Sequence, residues 1–345
     1  MTKKNIANIP SDVLQAFWRS DNLTSQQLDT GHVHQTCLIR SKGESYILQS
    51  INTKIFQNPR ATVENIEKVN EHLSSDVNYL LRVPRLRRDR SNDLVYQSLD
   101  GDYWRCMEYV SGSKTIEMAH DPMQAHSVAL SFGAFSASLA NLAVQELHIT
   151  IPKFHDPESR WLQFKDAIEH SKRHFSNEIN TMISRIRDYE DIFLKIRSIS
   201  LPTKIAHNDP KITNVLFDEH DRPISIIDLD TVMPGTSLHD FGDMVRSMAS
   251  TVTEDHPLTE EVSFSKPMYE ALETGFIEGA GDSLEEVEKE HLLLGAKYII
   301  LEQAARFFTD YLNGNIYYKV KDDQHNMVRS QNQLALLDSM SKAMD

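Results

Sequence analysis

Two neighbouring segments decide how this chain is read. The first is Ile205-Ala206-His207-Asn208-Asp209-Pro210-Lys211-Ile212-Thr213-Asn214-Val215-Leu216-Phe217-Asp218; the second is Ile226-Ile227-Asp228-Leu229-Asp230. Asp209 is followed five residues on by Asn214, and Asp228 comes fourteen residues after that. Apolar Val215-Leu216-Phe217 and Ile224-Ser225-Ile226-Ile227 flank a turn at Glu219-His220-Asp221-Arg222-Pro223. The pattern predicts a loop, then a β-hairpin whose second strand ends on Asp228. Such a hairpin gathers Asp209, Asn214 and Asp228. The set suits phosphoryl transfer, which asks for a carboxylate to take the acceptor's proton and for metal ions to neutralise the phosphates. Asp209 is the candidate base. Asn214 offers a neutral oxygen ligand and Asp228 a charged one, the hard donors that Mg²⁺ prefers.

Working outward, the N-terminal side alternates strand and helix signals. Ser11 caps a short helix at 11–18 with Val13, Leu14 and Phe17 as its apolar stripe. Thr36-Cys37-Leu38-Ile39 and Tyr46-Ile47-Leu48 read as strands around the turn Ser41-Lys42-Gly43-Glu44. A helix is expected at 60–74, where Val63, Ile66, Val69 and Leu73 recur at helical steps. Leu94-Val95-Tyr96 and Tyr103-Trp104-Arg105-Cys106-Met107 then flank Asp100-Gly101-Asp102. After Ser111-Gly112-Ser113 the pattern turns helical, over 122–143, 158–175, 177–197, 238–249, 265–279, 284–312 and 326–343. The expected fold is α+β and two-lobed: a small β-rich N-terminal lobe (1–110) and a larger helical C-terminal lobe (111–345), joined at 108–113.

Composition narrows the class. The 345 residues include 50 acids against 36 Lys plus Arg, a net charge of −14, which disfavours nucleic acid or an anionic membrane as the main partner. Hydrophobic residues make up 40% and charged residues 25%, as in a soluble globular protein. Two cysteines, Cys37 and Cys106, are too few for a disulfide framework. The start Met1-Thr2-Lys3-Lys4-Asn5-Ile6-Ala7-Asn8 has no apolar signal core, and no apolar run spans a bilayer; a cytoplasmic protein, monomer or homodimer, is expected. The 12 glycines are about half the usual share and speak against Gly-rich phosphate loops.

His207-x-Asp209-x₄-Asn214 with apolar-Asp228-x-Asp230 resembles the catalytic and metal segments of the aminoglycoside phosphotransferase and choline kinase superfamily. The resemblance implies a protein-kinase-like fold, ATP and Mg²⁺ as cofactors, Asp228 as metal ligand beside Asn214, and His207 and Asp240 as supports of the catalytic loop; Asp230 reads either as a second metal contact or as a structural cap. Lys211 matches the Asp-x-Lys of protein serine/threonine kinases, where the lysine contacts the γ-phosphate. Within the superfamily the chain is most similar to the N-acetylhexosamine 1-kinases, through Tyr46-Ile47-Leu48-Gln49-Ser50-Ile51-Asn52, Asp228-Leu229-Asp230-Thr231-Val232-Met233-Pro234-Gly235, Asp240-Phe241-Gly242-Asp243 and Leu301-Glu302-Gln303-Ala304-Ala305-Arg306-Phe307-Phe308. These imply a small-molecule sugar acceptor alongside ATP. Arg306 would donate to sugar hydroxyls or an acetamide carbonyl, and Tyr311 or Tyr317 would stack on a pyranose ring. The plainer alternative for this helix is an exposed Glu302–Arg306–Asp310 ladder with aromatics in the core.

Asp240-Phe241-Gly242 spells the metal tripeptide of protein kinases but lies 26 residues beyond Asn214, so it reads better as the start of the next helix. On the nucleotide side, Gly31 and His32 open the loop that would cover the phosphates, and Glu108 to Val110 would offer backbone groups to adenine. Gln49 occupies the strand position where kinases carry a phosphate-binding lysine. The phosphate-binding weight should then fall on Lys211, Asn214 and Asp228. Two rivals stand beside a sugar kinase. One is a kinase of another small alcohol (aminoglycoside, choline, homoserine or methylthioribose), for which Thr253-Glu254-Asp255 or Glu285-Glu286-Val287-Glu288 would supply acids around a cation. The other is an inactive kinase fold acting as a binding protein.

Overall fold

The computed structural model describes residues 9–19, 23–28 and 33–344. Gly31 and His32 lie outside the described residues. The N-terminal part holds α1 (Ser11–Phe17), α2 (Pro59–Ser75) and strands β1 (Leu23–Leu28), β2 (Gln35–Ser41), β3 (Glu44–Ser50), β4 (Leu86–Arg87), β5 (Tyr96–Gln97) and β6 (Tyr103–Glu108). They form one antiparallel sheet in the order β1-β2-β3-β6-β4, with β5 also on β6. Lys42 and Gly43, both at positive φ, make the β2–β3 turn, where glycine bears the left-handed backbone without strain. β1 carries no sequence signal because its Leu-Thr-Ser-Gln-Gln-Leu run is an edge with little buried surface. Asn58 caps α2 from its side chain to the Ala61 N–H, with Pro59 opening the first turn.

Beyond β6 the chain is mainly helical: α3 (Pro122–Leu139), α4 (Pro157–His170), α5 (Asn177–Asp188), α6 (Glu190–Ser198), α7 (Ser237–Met248), α8 (Lys266–Ala280), α9 (Glu286–Lys289), α10 (Leu292–Leu312) and α11 (His325–Met344). Two expected helices are each broken. The 177–197 helix divides at Tyr189, and the 284–312 helix divides between Lys289 and Leu292. α10 is buried along much of its length and packs on α4, α7 and α11, forming the axis of one large core. The scarce glycines are spent where helices cross: Gly133, Gly275 and Gly279 let α3 and α8 approach so closely that a Cβ on any of them would strike opposing backbone.

The β interruption contains β7 (Lys204–Ala206), β8 (Val215–Phe217), β9 (Pro223–Ile226) and β10 (Met233–Gly235). β8 and β9 form the anticipated hairpin. β10 returns to pair with β7, so the loop after β7 and the loop after β9 are tied at their far ends too. Asp240-Phe241-Gly242 lies within α7.

Candidate active site

The loop after β7 carries Asp209 at the mouth of the hairpin. Asp240, at the start of α7, accepts the His207 N–H at 2.9 Å and the Asn208 N–H at 2.7 Å. Asn208 sits at φ 63, a conformation that costs a non-glycine residue about 1 kcal/mol. Its side-chain amide offsets this by donating to the carbonyls of Ala206 and Thr231. The Asn208 carbonyl meets His155 Nε2 at 3.0 Å, and His155 Nδ1 meets the Glu302 carboxylate at 2.6 Å. The loop that bears Asp209 is thus gripped on its amides by Asp240 of α7 and on a carbonyl by His155, itself braced by Glu302 of α10, all from the C-terminal part.

His207 is buried between Phe132 and Phe135. Its Nε2–H donates to the Ile227 carbonyl at 3.1 Å and its Nδ1 accepts the Asp209 N–H at 3.3 Å, which defines a neutral ring. Burial pushes it down to about 4. Burial also pushes the Asp240 carboxyl up to about 7, against the two amide bonds it receives.

Asp209 faces Lys211 Nζ at 2.8 Å and Asn214 Nδ2 at 3.1 Å. Burial works against its charge, but Lys211 overrides it and holds the carboxyl below its ordinary range. Lys211 in turn is held above its ordinary range by Asp209 and Asp228, despite burial. Asn214 spends its N–H groups on the Asp209 carbonyl and carboxylate, leaving its amide oxygen to face a ligand. Asp228, at φ 63, follows Ile227, whose N–H donates to the Asn214 carbonyl. Its carboxylate has no hydrogen bond or ion pair among the described residues. Burial and the neighbouring Asp230 charge raise its pKa. An unpaired carboxylate beside a free amide oxygen fits a divalent cation.

Asp230 is placed differently. Both its oxygens are held by Arg105 of β6, at 2.7 and 2.6 Å, and His34 Nε2 lies 3.3 Å from Oδ1. Arg105 is opposite Gln49 in the β3–β6 ladder, and its Nε and NH2 groups donate to the Gln49 side-chain oxygen at 2.9 and 2.8 Å. Sequence reading named Gln49 but missed Arg105 and His34. The signal was there in Arg105: a charged residue flanked by Trp104 and Cys106 in a strand whose neighbours are core. Farther along the same loop, Asn65 of α2 donates to the Val232 carbonyl at 3.0 Å.

A cavity of about 290 Å³ opens between residues 82–84 and 108–111, so Glu108 and Val110 both line it. Arg306 of α10 lies over the Phe154 ring at 4.8 Å and 5.7 Å from the Tyr318 ring centre. Tyr317 is part-exposed and packs edge-on against Tyr318, whose place beside Arg306 the sequence did not disclose. The acids of this region are already matched. Asp243 receives Arg246 at 2.5 Å, and Glu254 receives Arg246 and Arg329. Glu302 receives His155, with Arg160 at 3.3 Å and Arg306 at 3.6 Å.

The model of the phosphotransferase enzyme family matches residues 24–272, most of the chain and every element of the two loops. The chain belongs to that family. Solved structures share its fold at low identity. A microcompartment-associated aminopropanol kinase is 16% identical, covering 96% of each chain, with a TM-score of 0.69. An aminoglycoside phosphotransferase from Alicyclobacillus acidocaldarius is 13% identical over 99% of this chain and 98% of its own, at 0.65. A spectinomycin phosphotransferase bound to ADP and spectinomycin is 13% identical over 96% and 97%, at 0.58. The family match spans both loops, those that bear Asp209 and Asp228.

Proposed function

We propose that this phosphotransferase uses ATP and Mg²⁺ to phosphorylate a hydroxyl of a neutral sugar, the anomeric C1 hydroxyl of an N-acetylhexosamine. The observation that carries the acceptor class is the charge pairing on the acceptor side of Asp209. Asp243 and Glu254 are held by guanidinium groups, Glu302 Oε2 is held by His155 with Arg160 and Arg306 at ion-pair distance from Oε1, and burial notwithstanding, Arg329 and Arg246 hold Glu254 at about 2. Asp255 pairs with Lys321, and Glu288 with Lys204. Among the described residues, each of these carboxylates already faces a protein cation, and displacing a buried guanidinium partner to seat a cationic acceptor is costly. A neutral polyol instead finds donors on Arg306 and aromatic edges on Tyr317 and Tyr318.

In the proposed reaction Asp209 orients the acceptor hydroxyl and accepts its proton as the oxygen attacks the γ-phosphorus of ATP. The new O–P bond forms as the bond to ADP breaks. Lys211 keeps Asp209 ionised and would neutralise a γ-phosphate oxygen. Asn214 and Asp228 would hold the metal, which supplies charge neutralisation for the transferring phosphoryl group. Residues 108–110 would meet the adenine. The spectinomycin enzyme's ADP complex supports a nucleotide in this fold.

The test is an ATP-consumption screen over N-acetylhexosamines, plain hexoses, aminoglycosides, choline and homoserine. Turnover is expected with an N-acetylhexosamine. Turnover confined to the cationic alcohols would sink the neutral-acceptor reading.

A further inference from the structure

The strand position that would carry a phosphate-side lysine holds Gln49, and the cation stands across the ladder at Arg105. We propose that Arg105 is the positioning residue of the metal loop: through its fork on Asp230 it fixes Asp228, and Asp230 is a fixture of that loop rather than a metal ligand. The proposal rests on the reading of Asn214 and Asp228 as metal-holding groups, and is independent of the acceptor.

Three observations carry it. First, the fork is complete and dry. Arg105 and Asp230 are 1% and 2% exposed, and Gln49, itself donating to Thr36 Oγ1 at 3.1 Å, holds the remaining edge of the guanidinium. A planar two-pronged donor matches a carboxylate in a way a lysine cannot. Second, ligand atoms of His34, Asp228 and Asp230 lie within 4.8 Å of one another, yet only Asp228 is free to bind a cation. His34 Nδ1 accepts the Asn52 N–H at 3.1 Å, which leaves its proton on Nε2, facing Asp230. Arg105 thus occupies both Asp230 oxygens, and a proton-bearing His34 Nε2, buried without a hydrogen bond of its own, offers no lone pair to a cation. Third, Asp228 occupies a left-handed conformation and needs outside restraint. The restraint comes from the N-terminal part, through Arg105 on Asp230 and Asn65 on the Val232 carbonyl.

The experiment measures ADP binding by calorimetry, with and without Mg²⁺, for wild type, Arg105→Gln, Asp230→Asn and the double variant, with folding checked by circular dichroism. Without Mg²⁺, all four should bind ADP within about twofold of each other. With Mg²⁺, each single variant should bind about tenfold more weakly, the usual scale for a group that orients a ligand, and the double should be no worse than either single. Gln49→Leu leaves the ion pair intact and removes its orienting oxygen, together with the amide bond to Thr36 within the sheet, so it covers the case in which the charge variants fail to fold. It should weaken Mg²⁺-dependent binding about threefold. Weakening by Asp230→Asn alone would make Asp230 a metal ligand and overturn the proposal, as would additive losses in the double or an unaffected Gln49→Leu. A wild-type affinity indifferent to Mg²⁺ would instead refute the metal reading beneath it, and the proposal with it.

Discussion

Asp209 and Asp228 are the same residue type on two loops joined by one hairpin, and their carboxyls are pushed in opposite directions. Asp209 has Lys211 and Asn214 against it and is held ionised. Asp228 has no hydrogen-bond or ion-pair partner among the described residues and a second carboxylate nearby, and its charge is disfavoured until a cation arrives. Environment, rather than residue type, separates a base from a metal ligand. The loops are also anchored from opposite sides. Asp240 of α7 and the His155–Glu302 pair hold the catalytic loop, whereas Arg105 and Asn65 hold the metal loop. The two carboxylate loops therefore meet at a seam between the sheet and the helical core.

The harshest test of this contrast removes the proposed base. Asp209→Asn should lower kcat by about 10²- to 10⁴-fold while leaving Mg²⁺–ADP affinity near wild type, because the loss falls on proton transfer and not on the metal. Retained turnover would show that Asp209 is not the base; lost nucleotide affinity would show that the two carboxylates are not separable.

The complementary change is Asp228→Asn. Folding disfavours the ionised form of Asp228, so removing that charge should raise the melting temperature of metal-free protein by a few degrees at pH 8. Added Mg²⁺ and ADP should then stabilise the variant far less than wild type. A variant that melts lower without metal would mean that the carboxylate has a partner in solution, and the contrast with Asp209 would fail.

What could be read from sequence follows the same division. Asp209, Asn214 and Asp228 are close in the chain, so a hairpin suffices to bring them together, and their spacing is visible. Arg105 meets Asp230 across 125 residues and His155 meets Glu302 across 147, and no local pattern announces such pairs. Their trace is only an ionisable residue inside an apolar run, as with Glu302 after Ile299-Ile300-Leu301. The polar edge strand β1 was missed because it buries little. The break at Tyr189 was missed because α5 and α6 both keep an apolar helical stripe across it. The two-part α+β plan was legible because the strand and helix signals divide near residue 110.

His207 touches both halves of the comparison, donating to Ile227 beside Asp228 and accepting from Asp209, so its protonation probes the join itself. Its folded pKa of about 4 lies below the ordinary value of 6.5. Between those values the unfolded chain binds a proton that the folded ring refuses, so stability from this group is present above pH 6.5 and is lost as pH falls toward 4. Asp240, raised to about 7 from 3.8, runs the other way: the folded state binds the extra proton, and stability falls as pH rises through that range. Subtracting a His207→Gln variant separates the two, since Gln can still donate to Ile227 but does not titrate. Urea denaturation at pH 7 and 5.5 should show wild type losing about 1 kcal/mol more than the variant. Parallel curves would mean that a proton reaches the ring in the folded state, and that the seam between the two loops is open to water.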